Sequence, residues 1–142
     1  MQVKDIMTYG VDFIQPSDSV KSAAEKMRDR NVGACPVFDN KQPVGMITDR
    51  DITVRCVSQG CNPSDAKVED VMSREVIFCK ENMDVDEAAH IMEYKKIRRL
   101  LVENENREVV GILSLGDLAM STTNELSGEV LRDVSGISYP NR

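Results

Sequence analysis

The amino-acid sequence states one pattern twice. Val3, Asp5, Met7, Val11, Val20, Ala23, Ala24 and Met27 recur as Val68, Asp70, Met72, Val76, Val85, Ala88, Ala89 and Met92. The shift is about 65 residues and the pattern recurs once, too long for a solenoid unit and too few for an array. Each copy closes on a similar phrase, Gly45-Met46-Ile47-Thr48-Asp49-Arg50-Asp51 and Gly111-Ile112-Leu113-Ser114-Leu115-Gly116-Asp117. Such a duplicated half-domain predicts two equivalent units about a pseudo-twofold axis, with paired ligand clefts where they meet. Neither half of a 142-residue chain buries enough surface to be comfortable alone, so a shared core is expected.

Each copy reads as β-α-β-β-α. In the first, Val11 to Ile14 is strand-like, and Ser17 or Asp18 starts a helix. Its apolar residues Val20, Ala23, Ala24 and Met27 follow the i, i+3, i+4, i+7 spacing of one buried face. Asn31 ends the helix; strands Val32 to Phe38 and Val44 to Ile47 flank the turn Asp39-Asn40-Lys41-Gln42-Pro43. A second helix runs from about Asp49 to Val57. In the second copy Val76 to Cys79 is strand-like, and Asp84 with Glu87 caps a helix that buries Val85, Ala88, Ala89 and Met92. Strands Ile97 to Glu103 and Glu108 to Leu113 follow, joined by Asn104-Glu105-Asn106-Arg107. The copies span 3–57 and 68–120, with 58–67 as linker and 121–142 as a tail. In that tail Leu126, Val130, Leu131 and Val134 form an apolar helical stripe, which suits either a helix packed on its own domain or a dimer or partner contact.

Composition removes several functions. Hydrophobic content of 41% and charged content of 30% fit a soluble globular protein. No apolar run approaches the roughly 20 residues of a membrane span. Met1 to Met7 lacks the basic-then-apolar order of a secretory signal, so the expected location is the cytoplasm. A net charge of −6 argues against general nucleic-acid binding, although a local arginine cluster can still hold a small anion. Cys35 and Cys79 sit in apolar runs, as small core residues do. Cys56 and Cys61 flank a turn-rich stretch and fit either structural thiols or a redox pair. His90 faces away from the apolar stripe as a solvated side chain, and no cysteine–histidine spacing suggests a metal site. There is no convincing nucleophile–base pair and no P-loop lysine, so no catalytic residue or catalytic cofactor is assigned and the chain is not expected to be an enzyme.

Two features carry binding chemistry. Thr48 to Asp51 and Ser114 to Asp117 each fit [ST]-x-x-[DE] ahead of a helix, which is a capping-box pattern. The same geometry offers a helix start to a phosphate, a hydroxyl to the phosphate or ribose, and a carboxylate to ribose hydroxyls. Gly45 and Gly111 would let a ring or sugar approach the backbone. The second feature is Arg98-Arg99 within an apolar strand, where alternation sends one guanidinium to the more buried side. Its partner is a phosphate or a nearby carboxylate. The first copy has Gly33-Ala34 there, while Arg50 stands where the second has Gly116, so the two candidate sites are related but unequal.

These features together resemble the cystathionine β-synthase (CBS) domain family, as a tandem pair or Bateman module. The marks are Lys4-Asp5-Ile6-Met7-Thr8 and Glu69-Asp70-Val71-Met72-Ser73, then Val32-Gly33-Ala34-Cys35-Pro36-Val37 and Ile97-Arg98-Arg99-Leu100-Leu101-Val102, then the closing G-x-x-[ST]-x-x-D phrases. Leu101 departs from the pattern, which has proline there as Pro36 does. The resemblance implies an α/β fold of two pseudo-twofold-related repeats sharing one core, regulated by AMP, ADP, ATP or S-adenosylmethionine in clefts between the repeats. By position it puts Asp51 and Asp117 on ribose, Thr48 and Ser114 on phosphate or ribose, and Arg98 and Arg99 on phosphates, with Arg50 beside the first phrase. Backbone near Val11 and Val76 with Met46 and Ile112 would frame adenine. It further implies a homodimer and a separate, unidentified effector protein. The alternative is a ligand-free scaffold for dimerisation or docking, in which the same residues only cap helices.

Overall fold

The computed structural model describes residues 1–10, 12–121 and 128–134. In chain order its elements are α1 (Val3–Ile6), β1 (Thr8–Tyr9), α2 (Val20–Arg30), β2 (Ala34–Asp39), β3 (Gln42–Thr48) and α3 (Asp49–Asp51), which continues as a π-helix (Ile52–Val57). There follow α4 (Val68–Val71), β4 (Phe78–Lys80), α5 (Val85–Lys95), β5 (Arg99–Glu103), β6 (Val109–Ser114), α6 (Leu115–Ser121) and a last helix, α7, over 128–134.

The two sequence copies exchange their opening helices. Residues 1–11 fold with 77–142 as unit 1, and 12–76 form unit 2. Asp5 and Asp70, a pair in the repeated pattern, start these short helices: the Asp5 carboxylate accepts from Gln2 N–H at 2.8 Å and Asp70 from Lys67 N–H at 3.3 Å. Val3 N–H then donates to the Met83 carbonyl, and Val68 N–H to that of Asp18. Among the described residues the buried apolar side chains, Ala34 and Leu101 apart, form two clusters, one in each unit. In unit 1, Val3 and Met7 join Val85, Ala88, Ala89, Met92, Leu100, Val102 and Leu113. In unit 2, Val68, Val71 and Met72 join Val20, Ala23, Met27, Cys35, Val37 and Ile47. Each sequence copy thus contributes to both clusters, which is the form the sharing of the core takes.

Unit 1 holds a four-stranded sheet in the order β1-β6-β5-β4, with β4 parallel to β5 and the other pairs antiparallel. Unit 2 has only β2-β3 as a continuous ladder, but single bridges stand where the outer strands would be: Met46 with Ser73, and Ile14 with Val37. The expected strand at Val11 to Ile14 is therefore corrected to one bridge at Ile14, and Val11 lies outside the described residues. Beyond Ile14 the next residue whose amide would face β2 is Pro16, which has no N–H to offer. The outer strand of unit 1 starts at Phe78, two residues later than Val76. Asn40 and Lys41, both with positive φ, make the two-residue β2–β3 turn.

Helix α2 is capped by Ser19, whose hydroxyl accepts from Ser22 N–H, rather than by Ser17 or Asp18. Asp84 caps α5 but accepts from Asp86 N–H, and Glu87 makes no reciprocal bond. Both helices end in a left-handed residue, Asn31 and Lys96. Of the expected apolar faces, α5 buries all four residues, whereas α2 buries Val20, Ala23 and Met27 and leaves Ala24 exposed. Unit 1 has an additional layer: Val130 and Val134 of α7 are buried in its cluster, and unit 2 has no such helix among the described residues. Packing on its own unit thus accounts for Val130 and Val134; Leu131 is exposed and Leu126 lies outside the described residues. His90 is exposed, 3.7 Å from Glu93.

Candidate functional site

In each unit one face of the sheet packs into the cluster and the other carries most of the candidate residues. In unit 1, Leu100, Val102 and Leu113 point into the core. The alternate residues share the opposite face: Arg99 pairs with Ser114, Leu101 with Ile112, and Ile112 in turn with Thr8. In unit 2 the register places Ala34 opposite Thr48 and Pro36 opposite Met46, with Cys35, Val37 and Ile47 in the core. Ala34 therefore stands in the place of Arg99, Pro36 in that of Leu101, Met46 in that of Ile112, and Thr48 in that of Ser114. Arg98 is exposed at the entrance to β5 and Arg99 is half-buried. Among the described residues neither guanidinium has a carboxylate partner within ion-pair distance, and neither has that of Arg50.

The sheet ends run directly into helices, and both capping boxes are closed. Thr48 N–H donates to Asp51 Oδ2 at 2.9 Å while Asp51 N–H donates to Thr48 Oγ1 at 3.1 Å. Ser114 N–H donates to Asp117 Oδ2, and Asp117 N–H to Ser114 Oγ, both at 3.0 Å. The sequence offers these helix starts to a phosphate, but the first three N–H groups of α3 and two of the first three of α6 are already bonded within the chain. At α3, Asp49 N–H reaches the Gly33 carbonyl, Arg50 N–H the Asp49 carboxylate and Asp51 N–H the Thr48 hydroxyl. At α6, Leu115 N–H reaches the Arg98 carbonyl and Asp117 N–H the Ser114 hydroxyl. The neighbouring strand begins beneath the helix, so the carbonyl just before it takes the first donor.

The role given to Gly45 and Gly111 is corrected too. A Cβ on Gly45 would lie 2.5 Å from the Ser73 carbonyl oxygen and 2.9 Å from Met72 Sδ. One on Gly111 would lie 2.7 Å from the Thr8 carbonyl oxygen and 2.9 Å from Met7 Sδ. It is the chain's own exchanged segment that approaches these glycines, not a ligand.

Two further side chains reach the carboxylates, and the closing phrases alone did not point to them. Thr8 Oγ1 lies 3.4 Å from both Asp117 oxygens. Arg55 Nε lies 3.9 Å from Asp51 Oδ1, and its Nη1 donates to the Val71 and Met72 carbonyls at 3.2 and 3.0 Å. Position held the clue: Thr8 closes the Asp-Ile-Met-Thr phrase, and Arg55 stands four residues after Asp51 on one helical face. Val76, half-buried, belongs to unit 2 with Met46, Thr48, Arg50 and Asp51; Arg98, Arg99, Ile112, Ser114 and Asp117 belong to unit 1. Among the described residues no group of three His, Cys, Asp or Glu side chains is placed to hold a metal ion, and no helix is long and apolar enough to cross a membrane.

The "CBS domain" family profile matches residues 3–57 and again 68–121. The CBS domain-containing protein YhcV of Bacillus subtilis is 40% identical over 134 residues, covering 94% of both chains. The fold is shared with the CBS domain protein TA0289 of Thermoplasma acidophilum, at a TM-score of 0.82, 23% identity, and coverage of 94% of this chain and 75% of that one. CBSX2, solved in complex with AMP, superimposes with a TM-score of 0.69 at 25% identity, covering 84% of this chain and 94% of its own.

Proposed function

Given that this chain belongs to the CBS-domain family, as a tandem pair of repeats, we propose that it is a non-catalytic regulatory module for an adenosine-type ligand. AMP, ADP, ATP and S-adenosylmethionine are the ligand class, and the effect passes to a separate partner protein. The observation that carries this reading is the face of the unit 1 sheet turned away from its cluster. There Arg99, Ile112, Ser114 and Thr8 lie together, Arg98 is exposed beside them, and both guanidinium groups lack a carboxylate partner among the described residues. The guanidinium fork matches phosphate oxygens, Ile112 offers an apolar surface to a base, and Asp117 Oδ1 stays outside the capping box to accept a ribose hydroxyl. The AMP complex of CBSX2 supports the ligand class. In unit 2, Met46, Thr48, Asp51, Val76 and Arg50 form the related but less basic set. Ligand binding regulates a partner only by favouring one arrangement of the module over another.

The test is thermal melting of the purified chain with millimolar AMP, ADP, ATP, S-adenosylmethionine and NADH. A rise of several degrees with at least one adenosine ligand, absent in Asp117→Ala, is the expected result. A melt unmoved by all five overturns the reading. It would leave the second one, a ligand-free dimerising or docking scaffold, which the closed capping boxes favour because they give Thr48, Asp51, Ser114 and Asp117 a purely structural task.

A further inference from the structure

We propose that Cys56 and Cys61 form a reversible thiol–disulfide site that exchanges with a dithiol through the Cys61 sulfur. The two are disulfide-bonded across the end of the π-helix, with a Cα–Cα distance of 5.0 Å. Their exposure differs: Cys56 is wholly buried in the unit 2 cluster, while Cys61 is half-buried at its margin. An incoming thiolate therefore meets Cys61 before the wholly buried Cys56.

The bond is poorly suited to be a mere staple. The loop-closure entropy that a disulfide removes grows with loop length, and these cysteines are separated by only five positions. Backbone bonds already close the same turn: Cys61 N–H donates to the Cys56 carbonyl at 3.0 Å, Gln59 N–H to it at 3.2 Å, and Gly60 N–H to Val57 at 3.1 Å. These bonds do not depend on the sulfurs, so the reduced cysteines stay adjacent and re-form the bond readily. The remaining thiols are chemically quiet. Burial pushes Cys35 up, and burial followed by the Glu103 charge pushes Cys79 up to about 12, so both remain protonated inside apolar clusters.

The exchange balances as follows. A thiolate of the dithiol bonds to Cys61 Sγ, the Cys56–Cys61 bond breaks, and Cys56 leaves as a thiolate. Cys56 takes up a proton, its sulfur lying 3.9 Å from the Cys61 carbonyl oxygen as acceptor. The second thiol of the dithiol then attacks its own partner sulfur and releases Cys61, which takes up the other proton. Two electrons pass from the dithiol to the pair. The site lies directly after Arg55, so it shares a helix with the Asp51 capping box.

The whole chain is equilibrated in mixtures of reduced and oxidised dithiothreitol, quenched in acid, denatured, alkylated and weighed. Four alkyl groups are expected at the reducing end and two at the oxidising end, with the circular dichroism unchanged between them. Four groups at every ratio, a major species with three, or opening only where the native dichroism is lost would each overturn the proposal. Cys56→Ser, with Cys56→Ala should serine at this buried site prevent folding, is then treated with oxidised glutathione. One adduct on Cys61 is expected, forming at least tenfold faster than any adduct on Cys61→Ser; equal rates would overturn the assignment of Cys61 as the attacked sulfur.

Discussion

Asp51 and Asp117 sit in the same capping box, with all four box bonds between 2.9 and 3.1 Å, yet their remaining oxygens face different chemistry. Asp51 is nearly buried and has the Arg55 guanidinium four residues on. Asp117 is half-buried and, among the described residues, has beyond its box only the long contact from the neutral Thr8 hydroxyl. Basic groups are arranged the opposite way. Unit 1 carries Arg98 and Arg99 at the start of β5, where unit 2 has Gly33 and Ala34 at the start of β2. Duplication thus preserved what starts the helix and varied what surrounds it. A carboxylate already facing an arginine offers less to a ribose than one facing a hydroxyl, so on the proposed function unit 1 is expected to hold a phosphorylated ligand better than unit 2.

The largest effect tests what the two units have in common. Gly45→Ala and Gly111→Ala should each destabilise the chain by about 2–3 kcal/mol, because the added methyl meets backbone carbonyl oxygen. Gly45→Ala, with the shorter approach, should be the worse in urea unfolding. A neutral result for either would mean that the exchanged segment does not lie against that strand.

Removal of the box carboxylates comes next. Asp51→Ala and Asp117→Ala should each cost about 1 kcal/mol without ligand, measured by denaturant midpoint. The comparison sharpens with their partners. Arg55→Ala loses hydrogen bonds to two carbonyls and should cost about 1 kcal/mol, whereas Thr8→Val, losing a 3.4 Å contact, should cost about 0.5 kcal/mol or less. Equal costs for the two would remove the asymmetry on which the contrast rests. The smallest effect lies at the helix ends: Lys96→Gly should stabilise by about 0.5–1 kcal/mol by relieving a left-handed lysine, and Asn31→Gly by less, since asparagine tolerates that conformation.

Much of this was legible in one dimension because it is local. Periodicity located α2 and α5, and the [ST]-x-x-[DE] spacing located both boxes, since each is a contact across three residues. The exchange of α1 and α4 was not legible, because they dock through backbone N–H groups onto the carbonyls of Met83 and Asp18, which no side-chain pattern records. The first outer strand was overestimated because a short apolar run does not record backbone pairing, and among its described residues only Ile14 is bridged. Ala24 was misplaced because spacing alone does not say whether a small side chain is covered: Ala24 is exposed, while its counterpart Ala89 is buried in the unit 1 cluster. The glycines were identified as close-approach positions, and only the structure says that the approaching group is the protein itself.

The most direct test of the account is calorimetric titration of AMP into the wild-type chain, Asp51→Ala and Asp117→Ala, each first shown to be folded. The account predicts that Asp117→Ala weakens AMP binding about tenfold or more, with a smaller loss in Asp51→Ala. AMP affinity unchanged in both variants would contradict it.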